Sequence, residues 1–168
     1  AGLVALFGVV ENRVFVGGSH GRQAVGQEQH VLGPLAAGGQ EPPWLSELKG
    51  VSAALLGDYT RAAELLGASL EQLESWRSRY NLAMVLRGQG DLEKAAKELL
   101  QAADEFQQAA NRDSAASRQR HSRIRSMTAE VLLRMGNKEA ARRESAYALE
   151  LDPGNGQALL VLRMLEGE

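Results

Sequence analysis

Three histidines, His20, His30 and His121, are the residues best suited by type to proton transfer or metal binding. They lie far apart in the chain, without the short spacings that bring two ligands onto one ion. Cysteine is absent, which excludes disulfides, thiolate metal sites and thiol nucleophiles. Ser19-His20 and His121-Ser122 are adjacent pairs, but no acid is placed to orient either imidazole, as an activated nucleophile requires. Gly17-Gly18-Ser19-His20-Gly21 has the glycine content of a phosphate loop, yet no strong strand precedes it and no lysine follows. No G-x-x-x-x-G-K, H-E-x-x-H or G-x-S-x-G occurs. These residues predict neither catalysis nor a bound cofactor or metal.

Non-covalent recognition is better provided for. Arg77, Tyr80, Met84 and Arg87 recur at i, i+3, i+7 and i+10, one face of a helix, with Asn81 at its border. Tyrosine brings contact area, methionine adaptability, arginine charge-assisted hydrogen bonds, and asparagine a group that bonds a backbone amide or carboxylate. A second feature is basic: residues 112–143 hold nine Arg or Lys against three acids, within a chain of net charge −2. Arg118, Arg123 and Arg125 fall in this stretch, and Arg118 and Arg125 share a helical face with His121 between them. Such asymmetry suits an acidic partner or an anionic membrane surface. RNA is disfavoured, because no aromatic is interleaved with these arginines.

Helices must position both features. The chain has 168 residues, 44% apolar and only 5% aromatic, so its core is built from Leu, Ala, Val and Met. Apolar residues recur at three and four, as in Ala95, Leu99, Ala102 and Phe106, and no segment alternates with period two. Glu41-Pro42-Pro43 marks a boundary, since proline is tolerated in a first helical turn. The expected helices are 44–56, 59–76, 77–87, 91–110, 114–135, 137–151 and 155–165. Residues 1–42 form a separate expected region: an apolar stretch over 1–10, then a glycine-rich segment with a short helix over 24–32. Ten apolar residues fall short of the roughly 20 that span a bilayer. They are read either as the remnant of a membrane anchor or as a buried segment, which leaves a membrane-associated or a cytoplasmic location open.

The helical region contains a repeat. Gly57-Asp58-Tyr59-Thr60-Arg61-Ala62, Gly90-Asp91-Leu92-Glu93-Lys94-Ala95 and Gly136-Asn137-Lys138-Glu139-Ala140-Ala141 each place glycine at the end of one helix and alanine early in the next. The first two glycines are 33 residues apart and the second pair 46, so the later unit needs extra helix. Small residues recur at three positions: Gly50, Ala83 and Ala129; then Ala62, Ala95 and Ala141; then Ser69, Ala102 and Ala148. They allow two helices to approach closely.

On these residues, and on Tyr80-Asn81-Leu82-Ala83 and Leu151-Asp152-Pro153, residues 43–168 resemble the tetratricopeptide repeat family. The large aromatic usual near the start of its first helix is replaced by Ser46, Arg79 and Arg125. The resemblance implies an all-α, right-handed α–α superhelix of about three hairpins plus a terminal helix, preceded by a loosely ordered N-terminal segment. It implies a scaffold or adaptor that grips another protein or a peptide, with the first helices (A) of the hairpins lining the binding face. It also suggests a bacterial accessory protein with a single N-terminal anchor. A chaperone-tail clamp for two carboxylates is not matched, because the third unit presents Arg123, Ser126, Glu130 and Leu133. The alternative is an adaptor that takes anionic nucleic acid or lipid on the basic helix 112–125.

Overall fold

The computed structural model of the chain describes residues 42–109 and 114–167. The expected apolar stretch, glycine-rich segment and short helix within 1–41 lie outside the described residues. Seven α-helices account for the rest: α1 (Pro43–Leu55), α2 (Tyr59–Gln72), α3 (Trp76–Gln89), α4 (Leu92–Ala109), α5 (Ala115–Arg134), α6 (Lys138–Leu151) and α7 (Gly156–Glu166). The described residues contain no strand.

The three repeat glycines explain the hairpins. Gly57, Gly90 and Gly136 have φ of +83°, +86° and +81°, and they are the described residues with positive φ. This left-handed turn leaves free carbonyls at the helix end, and the following backbone satisfies them. Gly57 N–H donates to Ala54 O and Asp58 N–H to Ala53 O, at 3.1 and 3.0 Å. Gly90 and Asp91 bond Arg87 and Leu86 in the same way, and Gly136 and Asn137 bond Leu133 and Leu132. The residue after each glycine then opens the next helix. Asp58, Asp91 and Asn137 accept from the N–H of Arg61, Lys94 and Ala140, at 3.0, 3.3 and 3.2 Å. One polar side chain thus stands at the junction of each helix pair.

The chain divides at Leu73/Glu74 into two compact units. In the first, α1 packs against α2. Gly50 is buried against α2, and a Cβ there would stand 2.7 Å from Leu66 Cγ. Ser69 donates from its hydroxyl to Pro43 O at 3.0 Å, tying the end of α2 to the start of α1. In the second unit, α3 pairs with α4 and α5 with α6; α4 packs on α5, and α7 on both α5 and α6. All nine small repeat positions are buried. Burial of the alanines and of Leu66, Leu99, Val131 and Val161 builds a tightly packed core.

Two expectations about length meet different outcomes. The long spacing between Gly90 and Gly136 is met by longer helices, 18 residues in α4 and 20 in α5. Trp76, expected at the end of the second helix, instead opens α3. Leu73 and Ser75 are extended, with φ/ψ of −152°/116° and −148°/122°, and Ser75 is the N-cap of α3. The Trp76 ring meets Phe106 of α4 edge to face, with centroids 4.9 Å apart, which fixes it to the hairpin it begins.

Candidate partner-binding surface

Helix α3 carries the first recognition stripe, and half of its fourteen residues are buried, so it has no broad exposed face. Arg77 is exposed. Tyr80, Asn81 and Met84 are buried, which corrects the reading of an open stripe: Tyr80 and Met84 pack with Ala83 and Val85 as core. Arg87 is half-buried and committed to other helices. Its guanidinium donates to Glu130 Oε2 at 2.6 Å and lies 3.3 Å from Met127 Sδ, both on α5. Gln157 of α7 donates to the same carboxylate oxygen at 3.4 Å. Arg87, Glu130 and Gln157 therefore form a polar ladder across three successive A helices, with Arg77 in the first turn of α3 and Arg123 in the middle of α5 at matching repeat positions, each six residues before a buried alanine.

The basic segment does not act as a unit. Arg118 is exposed and Arg123 half-buried, whereas Arg125 retains 7% of its surface. Its Nε–H donates to His121 Nε2 at 3.1 Å, and its terminal nitrogens donate to Glu144 at 3.3 Å and Asp104 at 3.5 Å. Its guanidinium carbon lies 4.9 Å from the centroid of Tyr147. Arg118 and Arg125 stand two helical turns apart on α5 with His121 between them, but they differ in exposure, because Arg125 is held inside by its neighbours. Arg79 stands at the corresponding position in α3. It is paired with Glu98 at 3.1 Å, with Glu74 at 3.3 Å, and with Glu105. Burial works against the Arg79 charge, but the hydrogen bonds and charges of Glu105 and Glu98 outweigh it, and its pKa is raised above the ordinary arginine value. Arg79–Glu98 and Arg125–Glu144 share a separation of 19 residues. The position usually filled by an aromatic is thus filled twice by an arginine whose partner sits on the second helix of its own hairpin. The repeated Arg/Glu spacing was the readable signal.

A further feature has no counterpart in the sequence reading. Where the C-terminal ends of α4 and α6 meet the first half of α5, Phe106, Gln107, Ser117, Arg118, His121, Tyr147 and Leu151 line a pocket of about 120 Å³. Its aromatic wall is continuous: Phe106 and His121 have centroids 5.7 Å apart, and His121 and Tyr147 5.5 Å. Nε2 of His121 accepts from Arg125 Nε at 3.1 Å, which orients the ring within this wall. Aromatics spread over three helices carry no spacing that a sequence would reveal.

Among the described residues no three His, Asp or Glu side chains converge to hold a metal ion. None of the described helices is long and apolar enough to cross a membrane.

Residues 48–113 match the family described as tetratricopeptide repeat. Comparison with curated proteins finds no match. Among solved structures, the second tetratricopeptide domain of human RPAP3, determined by NMR with the HSP70 peptide SGPTIEEVD, is similar at a TM-score of 0.62 and 21% identity, covering 75% of this chain and 99% of that chain. The first tetratricopeptide domain of Spaghetti (RPAP3), bound to the HSP90 peptide SRMEEVD, gives a TM-score of 0.62 at 17% identity, covering 74% of this chain and 90% of that chain. At these identities the likeness is one of fold.

Proposed function

We propose that this chain, a tetratricopeptide repeat protein, is a binding adaptor that holds an acidic segment of a partner protein within a larger assembly and carries no reaction of its own. The observation behind this reading is the ladder of A helices. Arg87, Glu130 and Gln157 join α3, α5 and α7 side by side, and Arg77 and Arg123 stand at equivalent positions on two of them. Two cations in equal register on adjacent helices suit carboxylates along an extended chain, with charge-assisted hydrogen bonds as the main specific contact. Tyr80, Asn81 and Met84 then serve as the packed floor beneath that contact. The related folds that bind SGPTIEEVD and SRMEEVD favour an acidic peptide as the first ligand class to try. The division of the chain into a region 1–42 and a repeat region 43–168 belongs to the same reading, with the repeats as the binding part.

The alternative, docking of helix 112–125 on anionic nucleic acid or lipid, is weakened by Arg125, whose charge is already matched by Glu144 and Asp104. The test compares the full chain with an Arg77→Ala/Arg123→Ala variant in affinity capture from its native extract, and in fluorescence anisotropy with the two acidic peptides as defined probes. Loss of a retained protein by the folded variant, together with weaker binding as salt rises, supports the adaptor reading. Equal retention by parent and variant moves the interface away from the A-helix face.

A further inference from the structure

The three turn glycines allow the hairpins to be compared position by position, from two residues before the glycine to seven after it. Residues 55–64 carry Asp58, Arg61 and Glu64, a net charge of −1. Residues 88–97 carry Asp91, Glu93, Lys94 and Lys97, a net of 0. Residues 134–143 carry Arg134, Lys138, Arg142 and Arg143 against Glu139 alone, a net of +3. The turn does not call for this charge, since the other two hairpins close with the same left-handed glycine and the same kind of cap without it. At matched positions, Asn137 stands where the others have Asp58 and Asp91, Arg142 where they have Ala63 and Ala96, and Arg134 where they have Leu55 and Gly88. Lys138 opens α6, where the helix dipole disfavours a positive charge, and Arg142 follows four residues later as a like-charge neighbour. The cluster faces solvent: residues 134–139 are all exposed, as are Arg142 and Arg143. Arg142 pairs with Glu139 at 3.6 Å, an exposed contact of the kind that contributes little. The side chains of Arg134 and Arg143 have no hydrogen-bond or ion-pair partner among the described residues. Arg125, nearer the start of α5, is by contrast matched by Glu144 and Asp104. At the apex stands Met135, 38% exposed, in the place that Gln89 takes in the second hairpin.

We infer that the turn between α5 and α6 rests on the surface of an anionic bilayer. Arg134, Lys138, Arg142 and Arg143 meet the lipid headgroups, and Met135 enters the boundary between headgroups and acyl chains. A projecting turn offers its charges to a plane, whereas it has no cleft for an extended acidic chain. Residues 134–143 also hold no aromatic on which the bases of single-stranded nucleic acid would stack. The contact is peripheral and needs no membrane-spanning helix. It is independent of the adaptor reading, because the Arg77→Ala/Arg123→Ala variant leaves every residue of this turn in place.

The test is co-sedimentation of the full chain with phosphatidylcholine vesicles, with and without phosphatidylserine, at low and high salt. Binding is expected to rise with phosphatidylserine and to fall as salt is added. Each basic side chain at such a surface multiplies partitioning by about fivefold, so Arg134→Gln/Arg143→Gln is expected to lower it by about 25-fold. Arg61→Gln/Lys97→Gln removes the same total charge at two other exposed positions and is expected to leave partitioning within about twofold. The chain lacks cysteine, so Met135→Cys carries a single environment-sensitive fluorophore, and Gln89→Cys carries it at the matched position of the neighbouring hairpin. A blue shift on phosphatidylserine vesicles is expected at 135 and not at 89. This readout reports the turn alone, whichever other part of the chain meets the vesicle. Unchanged partitioning of Arg134→Gln/Arg143→Gln, no shift at 135, or equal shifts at 135 and 89 would each overturn the inference. A shift at 135 with single-stranded RNA and none with phosphatidylserine vesicles at equal salt would assign the turn to nucleic acid and overturn it as well.

Discussion

Gly50 and Gly67 both lie inside helices of the first hairpin, yet alanine at the two positions should act in opposite directions. A Cβ at Gly67 meets nothing within 4 Å. Replacing a helix-interior glycine there should stabilise by about 0.5–1 kcal/mol, through the backbone entropy that glycine loses on folding. At Gly50 the same propensity gain is opposed by packing. The new methyl would stand 2.7 Å from Leu66 Cγ, 3.2 Å from Leu66 Cδ2 and 3.3 Å from Ala62 O. Leu66 is fully buried and Ala62 O is backbone, so α1 and α2 must separate to admit it. Overpacking of this kind costs about 1–3 kcal/mol, which leaves Gly50→Ala destabilising by about 1 kcal/mol net and up to about 2. Urea unfolding of the full chain, compared at equal m-value, reads the difference directly. Leu66→Ala makes the cause testable: alone it should cost about 2–5 kcal/mol, and in its background Gly50→Ala should become neutral or stabilising. If Gly50→Ala stabilises as much as Gly67→Ala, the close approach of α1 to α2 at Leu66 is not what excludes a side chain from this position.

Other perturbations probe the second unit. Ser122 is fully buried, donates to Ala148 O at 2.7 Å and accepts from Asn155 Nδ2 at 2.7 Å, so Ser122→Ala should lower unfolding stability by about 1–3 kcal/mol in the same urea assay. Arg79→Met leaves Glu98 and Glu105, with side chains 17% and 26% exposed, without their shared cation. It should cost about 1–3 kcal/mol in thermal or urea unfolding, where Arg77→Ala at an exposed site stays within about 0.5 kcal/mol. Gly90→Ala forces alanine into a φ of +86° and should destabilise by about 1–2 kcal/mol, with loss of helix measured by circular dichroism at a lower denaturant midpoint. The hydrogen bond from Lys94 holds the Asp91 carboxyl below its usual pKa and raises that of Lys94 in return. The ionised form is therefore favoured in the fold, and its contribution is present above the ordinary aspartate value of about 3.9 and lost as pH falls through the lower folded value. An NMR titration should place the Asp91 midpoint below that of Asp91 in a Lys94→Met variant.

The repeat was legible because its physical demands are local. A left-handed glycine, a polar cap directly after it and a buried small residue are each set by a few neighbouring atoms. Gly57, Gly90 and Gly136 with their partners consequently fix the hairpins from sequence alone. The break at 73–75 was not legible, since Leu73, Glu74 and Ser75 differ little in type from the helical residues before them, and Trp76 is placed by Phe106, thirty residues on. The recognition stripe failed for a related reason. Helical spacing identifies residues on one face but not which face is covered, and α3 is covered on nearly every side. Arg125 shows the same limit: a positive charge in a basic run reads as solvated until Glu144, Asp104 and Tyr147 arrive from two other helices.

The constant turn and the variable helix lengths have a joint consequence. Because each glycine turn welds the end of one helix to the cap of the next, additional residues can be accommodated only at the opposite ends of the helices. Helix α2 stops fifteen residues after Gly57 and α6 fifteen after Gly136, but α4 runs nineteen beyond Gly90. Helix α3 begins fourteen residues before its glycine, but α5 begins twenty-one before. Phe106 and Gln107 lie past the point where α2 and α6 have stopped, and Ser117, Arg118 and His121 precede the position where α3 begins. Five of the seven pocket residues thus belong to length that the other hairpins do not have. A repeat array that grows only outward from its turns gains individuality at its rim, where a single lengthened unit can acquire a recess without disturbing the register of its neighbours.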